Sequence, residues 1–391
     1  MKVRHVLGIS GGKDSAALAI YLNKLYTKKQ LPIEYYTCDT GNELDETYKL
    51  ISQLEVELGQ KVRVYQSSDY QNVGEKTPFH FFLKRYGGFL PSQNARWCTK
   101  DMKLGPFEKE IGDEPTISYV GIRGDENREG YISTRPNIQS IFPFRKNIWS
   151  KDVIQKFFKE NSFETLSVWL KKSYPQKDHD RVMNLISKEL TRAYNIKDRT
   201  DDLLDISIKS FNKAVFQYLK TTDYPVGKLD HYPLVDNEDI LKRSDIFRLI
   251  EESAVDLPEY YKPIEYEIDG ENGKYFRSRS GCFFCFYQQK IEWVWLLEQH
   301  PHLFEKAKEF EKDGYSWVQD ETLEQLSNPE RVKQIKREHL KRMKKRYENL
   351  QSPTDWHDSV LGNDNKKNIN DKEWVDQLMD AEGDGCASCF I

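Results

Sequence analysis

Ser10-Gly11-Gly12-Lys13-Asp14-Ser15 sits between an apolar run at 5–9 and the helix-forming stretch ALAIYL. Two adjacent glycines let a backbone turn tightly, take positive φ and approach a ligand closely. A helix that opens at such a turn aims its free N–H groups and the positive end of its dipole into it. The expected occupant is an anion, a polyphosphate first. Amides from Gly11 to Ser15 can form a concave nest, with hydroxyls from Ser10 and Ser15 and a neutralising charge from Lys13. Asp14 can brace the loop or hold a magnesium ion. The G-x-x-x-x-G-K-[ST] pattern of the Walker loop is absent. An ordinary polar turn capped by Ser15 is the plainer alternative, and the whole string between strand and helix speaks against it.

Three further stretches carry charge or sulfur. YTCDTGNELDET at 36–47 places Asp39, Thr40 and Gly41 at the end of an apolar segment. ARWCTKDMKLGPFEK at 95–109 gathers Arg96, Lys100 and Lys103 around Cys98. This cluster suits phosphate or sulfate and should lower the Cys98 thiol pKa, with Lys100 and Lys103 spaced to share a helix face. VGIRGDENREGY at 120–131 runs from a strand into a charged loop, where Arg123 can meet phosphates while Asp125, Glu126 and Arg128 orient it. Six cysteines occur, and RSRSGCFFCFYQQK sets Cys282 and Cys285 on one turn while GCASCFI ends the chain with Cys386 and Cys389. Such pairs in a chain expected to be cytosolic point to metal, cluster or sulfur chemistry rather than a disulfide scaffold. Cys38 reads as core.

The elements that must position these residues alternate. HVLGIS, IEYYTCDT, KVRVYQSS and TISYVGIR read as strands, with helices over 15–29 and over ELDETYKLISQLEVEL, closed by Gly59. That rhythm predicts an α/β fold with a doubly wound, mostly parallel sheet, whose ligands bind beyond the C-terminal strand ends. The expected organisation is a core at 1–145, a helical insertion at 146–228 and a continuation of the core with the CxxC at 229–300. A basic helical region at 301–350 and a mobile polar tail at 351–391 follow. The stretch 331–350 holds nine Lys or Arg against two Glu, a local electrostatic footprint for nucleic acid.

The whole chain has 391 residues with a net charge of −4, 38% hydrophobic and 13% aromatic residues. That is enough for a large core and excludes wholesale disorder. Any nucleic-acid contact must come from a local basic patch. No run is long and apolar enough for a membrane span, and the N-terminus lacks a signal-peptide pattern, so a cytoplasmic location is expected. A homo-oligomer is compatible with the chain.

The string SGGKDS resembles that of the ATP pyrophosphatase (PP-loop) superfamily. With the Asp-Thr-Gly, Arg-x-Cys and Gly-x-Arg elements in order, the chain is similar to the phosphoadenosine-phosphosulfate (PAPS) reductase branch. The resemblance implies an adenine nucleotide alpha hydrolase-like fold and ATP with Mg2+ held by Ser10–Ser15, Asp39, Thr40, Gly41 and Arg123. Lys13, Asp14 and Arg123 would be catalytic, and Arg96, Lys100, Lys103, Asp125, Glu126 and Arg128 would contact substrate phosphates. Cys98, Cys282 and Cys285 match three ligand positions of a [4Fe–4S] cluster, although Trp97 stands where the family often has another cysteine. Cys386 or Cys389 could supply the fourth ligand or relay sulfur, and structural Zn2+ is the alternative occupant.

The pattern of core, inserted helices, Arg-Ser-Gly-Cys-x-x-Cys-Phe and basic helix resembles the DNA phosphorothioation proteins of the Dnd and Ssp systems. That implies DNA as substrate, a cysteine desulfurase and other phosphorothioation proteins as partners, and a role in antiphage defence. The alternatives are a PAPS or adenylylsulfate reductase, disfavoured by the missing E-C-G-x-H tail, and a catalytically silent nucleotide-sensing DNA-binding subunit.

Overall fold

A five-stranded parallel sheet in the order β3-β2-β1-β4-β5 organises the chain. The structure is a computed structural model that describes residues 2–70, 74–126, 133–312 and 314–351. The first half runs β1 (Arg4–Gly8), α1 (Lys13–Leu25), β2 (Ile33–Cys38), α2 (Asp45–Leu58) and β3 (Arg63–Tyr65). It continues with α3 (Pro78–Arg85), α4 (Trp97–Thr99), α5 (Gly105–Ile111), β4 (Thr116–Tyr119) and β5 (Ile138–Ile141). His5 is in register with Ile33 on one side and Ile117 on the other. The central strands read as apolar runs because helices flank the sheet. This is a doubly wound α/β arrangement with a helical C-terminal region.

Strand order reverses direction at β1. The chain leaves β1 towards β2, whereas β4 lies on the opposite side of β1 and leads to β5. The crevice at such a switch point, beyond the strand ends, is where doubly wound sheets bind ligands. Here it receives the turn after β1 and the turn after β4.

Five helices follow: α6 (Lys151–Lys159), α7 (Phe163–Ser173), α8 (His179–Ser187), α9 (Ile196–Ile206) and α10 (Ile208–Leu219). They share one continuous core with the sheet, in which Phe157, Leu170 and Phe211 cluster with Leu7 and Ile117. The insertion is therefore packed into the first core. After α11 (Arg243–Glu251) come the hairpin β6 (Ile264–Ile268) and β7 (Glu271–Tyr275), then α12 (Lys290–Gln299), α13 (Pro301–Lys308), α14 (Leu323–Leu326) and α15 (Pro329–Gln351). A second core joins α3 and Trp97 to these late elements through Phe79, Phe284 and Trp317.

Several boundaries differ from the sequence expectation. Helix α1 begins at Lys13 rather than Ser15, drawing the loop's Lys and Asp into its first turn. The third strand shrinks to Arg63–Tyr65 at a sheet edge. The fourth strand ends at Tyr119, which frees Val120 to Arg123 to turn over the site. The strand β5 and the hairpin β6–β7 were not anticipated. The tail from residue 352 lies outside the described residues.

Candidate active site

The glycine turn is closely packed from below. Gly11 has φ +72°, and a Cβ there would lie 2.2 Å from Thr47 Cγ2 on α2. Ser15 Oγ donates to the Gly12 carbonyl at 3.1 Å and accepts from the Ser10 amide at 3.2 Å, so both loop serines tie the turn to itself. Tyr260 OH donates to the Gly11 carbonyl at 3.0 Å, and the Lys13 amide donates to Tyr261 OH at 3.3 Å. Ser280 Oγ donates to the Ser10 carbonyl at 3.4 Å. The loop is thus held by residues about 250 positions later in the chain, a span that no local pattern could reveal.

Charge in the loop is shared across the switch point. Asp14 receives Lys13 Nζ at 3.1 Å on one oxygen and Arg123 Nη1 at 2.9 Å on the other. Arg123 also meets Asp125 at 3.0 Å and Glu126 at 2.9 Å. The approach is close because Gly121 lacks a side chain: a Cβ there would stand 2.8 Å from the Asp14 carbonyl oxygen. Lys13, Asp14 and Arg123 are each at least 94% buried. Burial pushes the Lys13 ammonium below its ordinary value, with Asp14 opposing and Arg243 and Arg123 adding to the fall. Burial would raise the Asp14 carboxyl, but Lys13 and Arg123 hold it well below the usual carboxylate range. Arg243, also buried, donates its amide to Asp125 at 3.2 Å.

A second centre lies on the other side of Ser280. Thr40, Cys98, Lys103, Ser280, Cys282 and Cys285 help line one narrow cavity of about 40 Å³. Thr40 Oγ1 is 3.1 Å from Cys282 Sγ and donates to Glu43 Oε1 at 2.7 Å. The Phe283 amide donates to the Asn42 carbonyl at 3.0 Å, which zips the CxxC turn onto the loop after β2. Arg277, fully buried, donates Nε to the Arg279 carbonyl at 2.9 Å and Nη1 to the Phe283 carbonyl at 3.4 Å. Burial first, then Asp39, pushes the Glu43 carboxyl up to about 7. Burial, followed by the Glu43 charge, raises the Cys282 thiol well above its ordinary value.

Asp39 accepts from the Gly41 amide at 2.7 Å and Tyr48 OH at 2.9 Å, so it shapes its own turn. Gly41 takes φ +71° where a Cβ would meet Thr77 at 2.8 Å. Lys103 lines the thiol cavity, whereas Lys100 is exposed and does not. The shared α-helical face expected for them is undone by a π-helical turn at Lys100–Leu104, with the Gly105 amide reaching the Lys100 carbonyl. Pro106, which has no N–H to offer, follows at once. Arg96 is exposed, with its guanidinium 5.3 Å from the Tyr287 ring centre. Arg128, Cys386 and Cys389 lie outside the described residues.

The residues present test the two inorganic expectations. Cys98, Cys282 and Cys285 share a cavity, yet among the described residues no three of His, Cys, Asp and Glu are grouped so that they could hold one metal ion. Both Asp14 oxygens are engaged by cations. Asp14 is thus committed to Lys13 and Arg123.

The basic helix α15 spends much of its charge internally. Arg331 pairs with Glu321 at 2.8 Å, Lys336 with Glu298 at 2.6 Å and Lys344 with Glu271 at 2.7 Å, and Arg337 Nη2 donates to Asp269 at 3.0 Å. Among the described residues no helix is long and apolar enough to cross a membrane.

Sequence reasoning missed Glu43, Thr47, Tyr260, Tyr261, Arg243 and Arg277. Glu43, Thr47 and Arg277 lay within stretches already singled out.

No curated protein matches the chain. It is similar to the phosphate complex of phosphoadenylyl-sulfate (PAPS) reductase from Candida auris at 18% identity and a TM-score of 0.28, covering 38% of this chain and 68% of that one. Residues 4–172 match the family described as phosphoadenosine phosphosulfate reductase domain, a span that contains the loop, Arg123 and Cys98 but not the CxxC turn. Over residues 4–172 the chain is thus similar to a phosphoadenosine phosphosulfate reductase domain.

Proposed function

We propose that this chain is a nucleotide-splitting PP-loop enzyme of sulfur chemistry, and that it cleaves ATP to AMP and pyrophosphate to activate a DNA backbone oxygen for replacement by sulfur. The carrying observation is the buried Lys13–Asp14–Arg123 trio at the switch point, set one residue, Ser280, away from three thiols. An acceptor oxygen attacks the α-phosphorus, the bond to the β-phosphate oxygen breaks and pyrophosphate leaves. A sulfur nucleophile then displaces AMP, which carries the acceptor oxygen away. Lys13, Arg123 and the α1 amides supply preorganised positive charge for the first step. Sulfur would come from a cysteine desulfurase partner through the thiol cavity, and antiphage defence is the biological role that this reading implies.

A second reading, reduction of PAPS or adenylylsulfate, draws equal support from the family match over residues 4–172. In it a thiol of the cavity attacks the sulfate sulfur, the sulfur–oxygen bond breaks and the nucleotide leaves. A second thiol then displaces sulfite as a disulfide forms. One assay separates them. The protein is incubated with ATP, with and without DNA, and pyrophosphate is measured; a parallel reaction with PAPS and a dithiol is assayed for sulfite. Pyrophosphate release stimulated by DNA supports the first reading and sulfite the second. ATP and PAPS both recovered unchanged would overturn both.

A further inference from the structure

Two amides at the start of α1 donate to hydroxyl oxygens. The Gly12 amide reaches Ser10 Oγ at 3.4 Å, and the Lys13 amide reaches Tyr261 OH at 3.3 Å. The first N–H groups of a helix have no partner within it, so the hydroxyls meet a need of the backbone. Ser10 belongs to the turn itself, whereas Tyr261 comes from the short turn Glu259–Tyr261 ahead of the hairpin β6–β7. Its oxygen meets the Lys13 amide, its ring centre lies 5.2 Å from Lys13 Nζ, and both residues are buried. Ser280, at the exit of the hairpin, closes on the same turn: a Cβ on Gly12 would lie 2.7 Å from its Oγ.

Tyr260, its ring centre 4.6 Å from that of Tyr261, uses its hydroxyl in the opposite sense, donating to the Gly11 carbonyl at 3.0 Å. A carbonyl offers nothing to an anion, whereas an amide at the positive end of a helix does. One tyrosine therefore holds a group that an anion cannot use, and its neighbour holds a group that an anion wants. The contact of the second is also the weaker. A good N–H···O bond spans about 2.7–3.2 Å, and the Tyr261 oxygen stands just beyond that range. A phosphate oxygen carries charge and makes the shorter, stronger bond.

We propose that the Tyr261 hydroxyl is a placeholder for a phosphate oxygen: it satisfies the Lys13 amide, yields it to an entering polyphosphate, and so sets the affinity of the loop by competition. This rests on the reading that the turn after β1 binds polyphosphate. It gives a segment far along the chain a direct hold on the nucleotide step.

The test is isothermal titration of the full chain with pyrophosphate, for the wild type, Tyr261→Phe and Tyr260→Phe. Tyr261→Phe keeps the ring and removes the competitor, so pyrophosphate should bind about two- to tenfold more tightly, the worth of one net hydrogen bond. Tyr260→Phe takes a hydroxyl from a carbonyl instead, and should bind no more tightly than the wild type. Amide hydrogen exchange reads the same competition in the wild type without any substitution. Pyrophosphate should slow exchange over residues 11–15 and quicken it over 259–262, because that turn loses its hold on the loop. Unchanged or weaker binding by Tyr261→Phe, equal tightening in Tyr260→Phe, or protection of both segments by pyrophosphate overturns the inference. If the wild-type chain binds no pyrophosphate, the loop reading itself fails, and the inference with it.

Discussion

Asp14 and Arg123 stand 109 residues apart in the chain and 2.9 Å apart in the fold, almost wholly out of water. The contact joins the turn after β1 to the turn after β4. Asp14 is a counter-charge that both Lys13 and Arg123 share in their buried positions. Asp14→Asn should leave two like charges facing each other and destabilise the fold by about 3 kcal/mol. Added pyrophosphate replaces the missing negative charge, so it should raise the melting temperature of the variant more than that of the wild type. Thermal melts with and without pyrophosphate read both effects. Equal stabilisation of the two proteins would show that polyphosphate binds elsewhere.

Replacing Arg123 by Met keeps much of the side-chain bulk and removes the guanidinium. If Arg123 stabilises the leaving phosphates, pyrophosphate release should fall by about 10²–10³-fold, the usual consequence of losing one preorganised charge donor. The fall should appear in kcat more than in KM, because the charge matters most as the bond breaks. Initial rates across ATP concentrations distinguish this from a loss confined to KM.

Gly11 meets two independent obstacles to a side chain. Its φ of +72° is strained for any L-residue, and a Cβ would sit 2.2 Å from Thr47 Cγ2. Gly11→Ala should therefore distort the turn and cost about 1–3 kcal/mol. Gly11→Ala with Thr47→Ser removes the methyl clash but not the backbone strain, so it should recover part of the stability and little of the pyrophosphate affinity. Chemical denaturation and isothermal titration with pyrophosphate measure the two.

The loop, the Asp-Thr-Gly turn and Gly-Ile-Arg were legible because each is a short string at a strand end, where parallel-sheet topology brings strand ends together. Arg123 could be placed near Asp14 on that ground alone. Tyr260 and Tyr261 were not legible, since they reach the loop from a segment with no periodic or charge signal of its own. Ser280, inside the Arg- and Cys-bearing stretch at 277–290, was missed because a lone serine carries no signal beside such neighbours. The hairpin β6–β7 did carry a signal: Asp269-Gly270, both at positive φ, is a favoured two-residue turn between alternating residues. The basic stripe at 331–350 carries less free charge than its composition suggests, for a physical reason. Composition counts charges without their partners, and the acids that neutralise several of them lie on the β6–β7 turn and on α12.

His5 gives the fold a defined acid sensitivity. Its Nδ1 lies 2.7 Å from Tyr119 OH, and burial lowers its pKa from 6.5 to about 4, with Glu34 opposing weakly. The unfolded chain therefore binds this proton more readily than the folded one. Stability should fall as pH drops from 6.5 towards 4, by on the order of 3 kcal/mol from this group. His5→Phe keeps a ring against Tyr119 and removes the titration. It should be less stable than wild type near neutrality and lose less on acidification. Urea midpoints across that pH range test the crossing of the two curves.

Glu43 governs the chemistry of Cys282 through Thr40. The carboxylate lies 3.9 Å from the thiol and opposes its ionisation, after burial has already raised its pKa. Because Glu43 itself titrates at about 7, its negative charge is present above that pH and absent below it. Glu43→Gln should therefore speed alkylation of Cys282 by iodoacetamide in the reduced protein by about three- to tenfold near pH ~8.5, where each tenfold corresponds to one unit of thiol pKa. The advantage should vanish near pH ~6, where wild-type Glu43 is also neutral. Peptide mass mapping isolates Cys282 from Cys98 and Cys285. A rate difference that persisted unchanged at the lower pH would mean that the substitution merely loosens the cavity, since a steric effect has no reason to follow the titration of a carboxyl group.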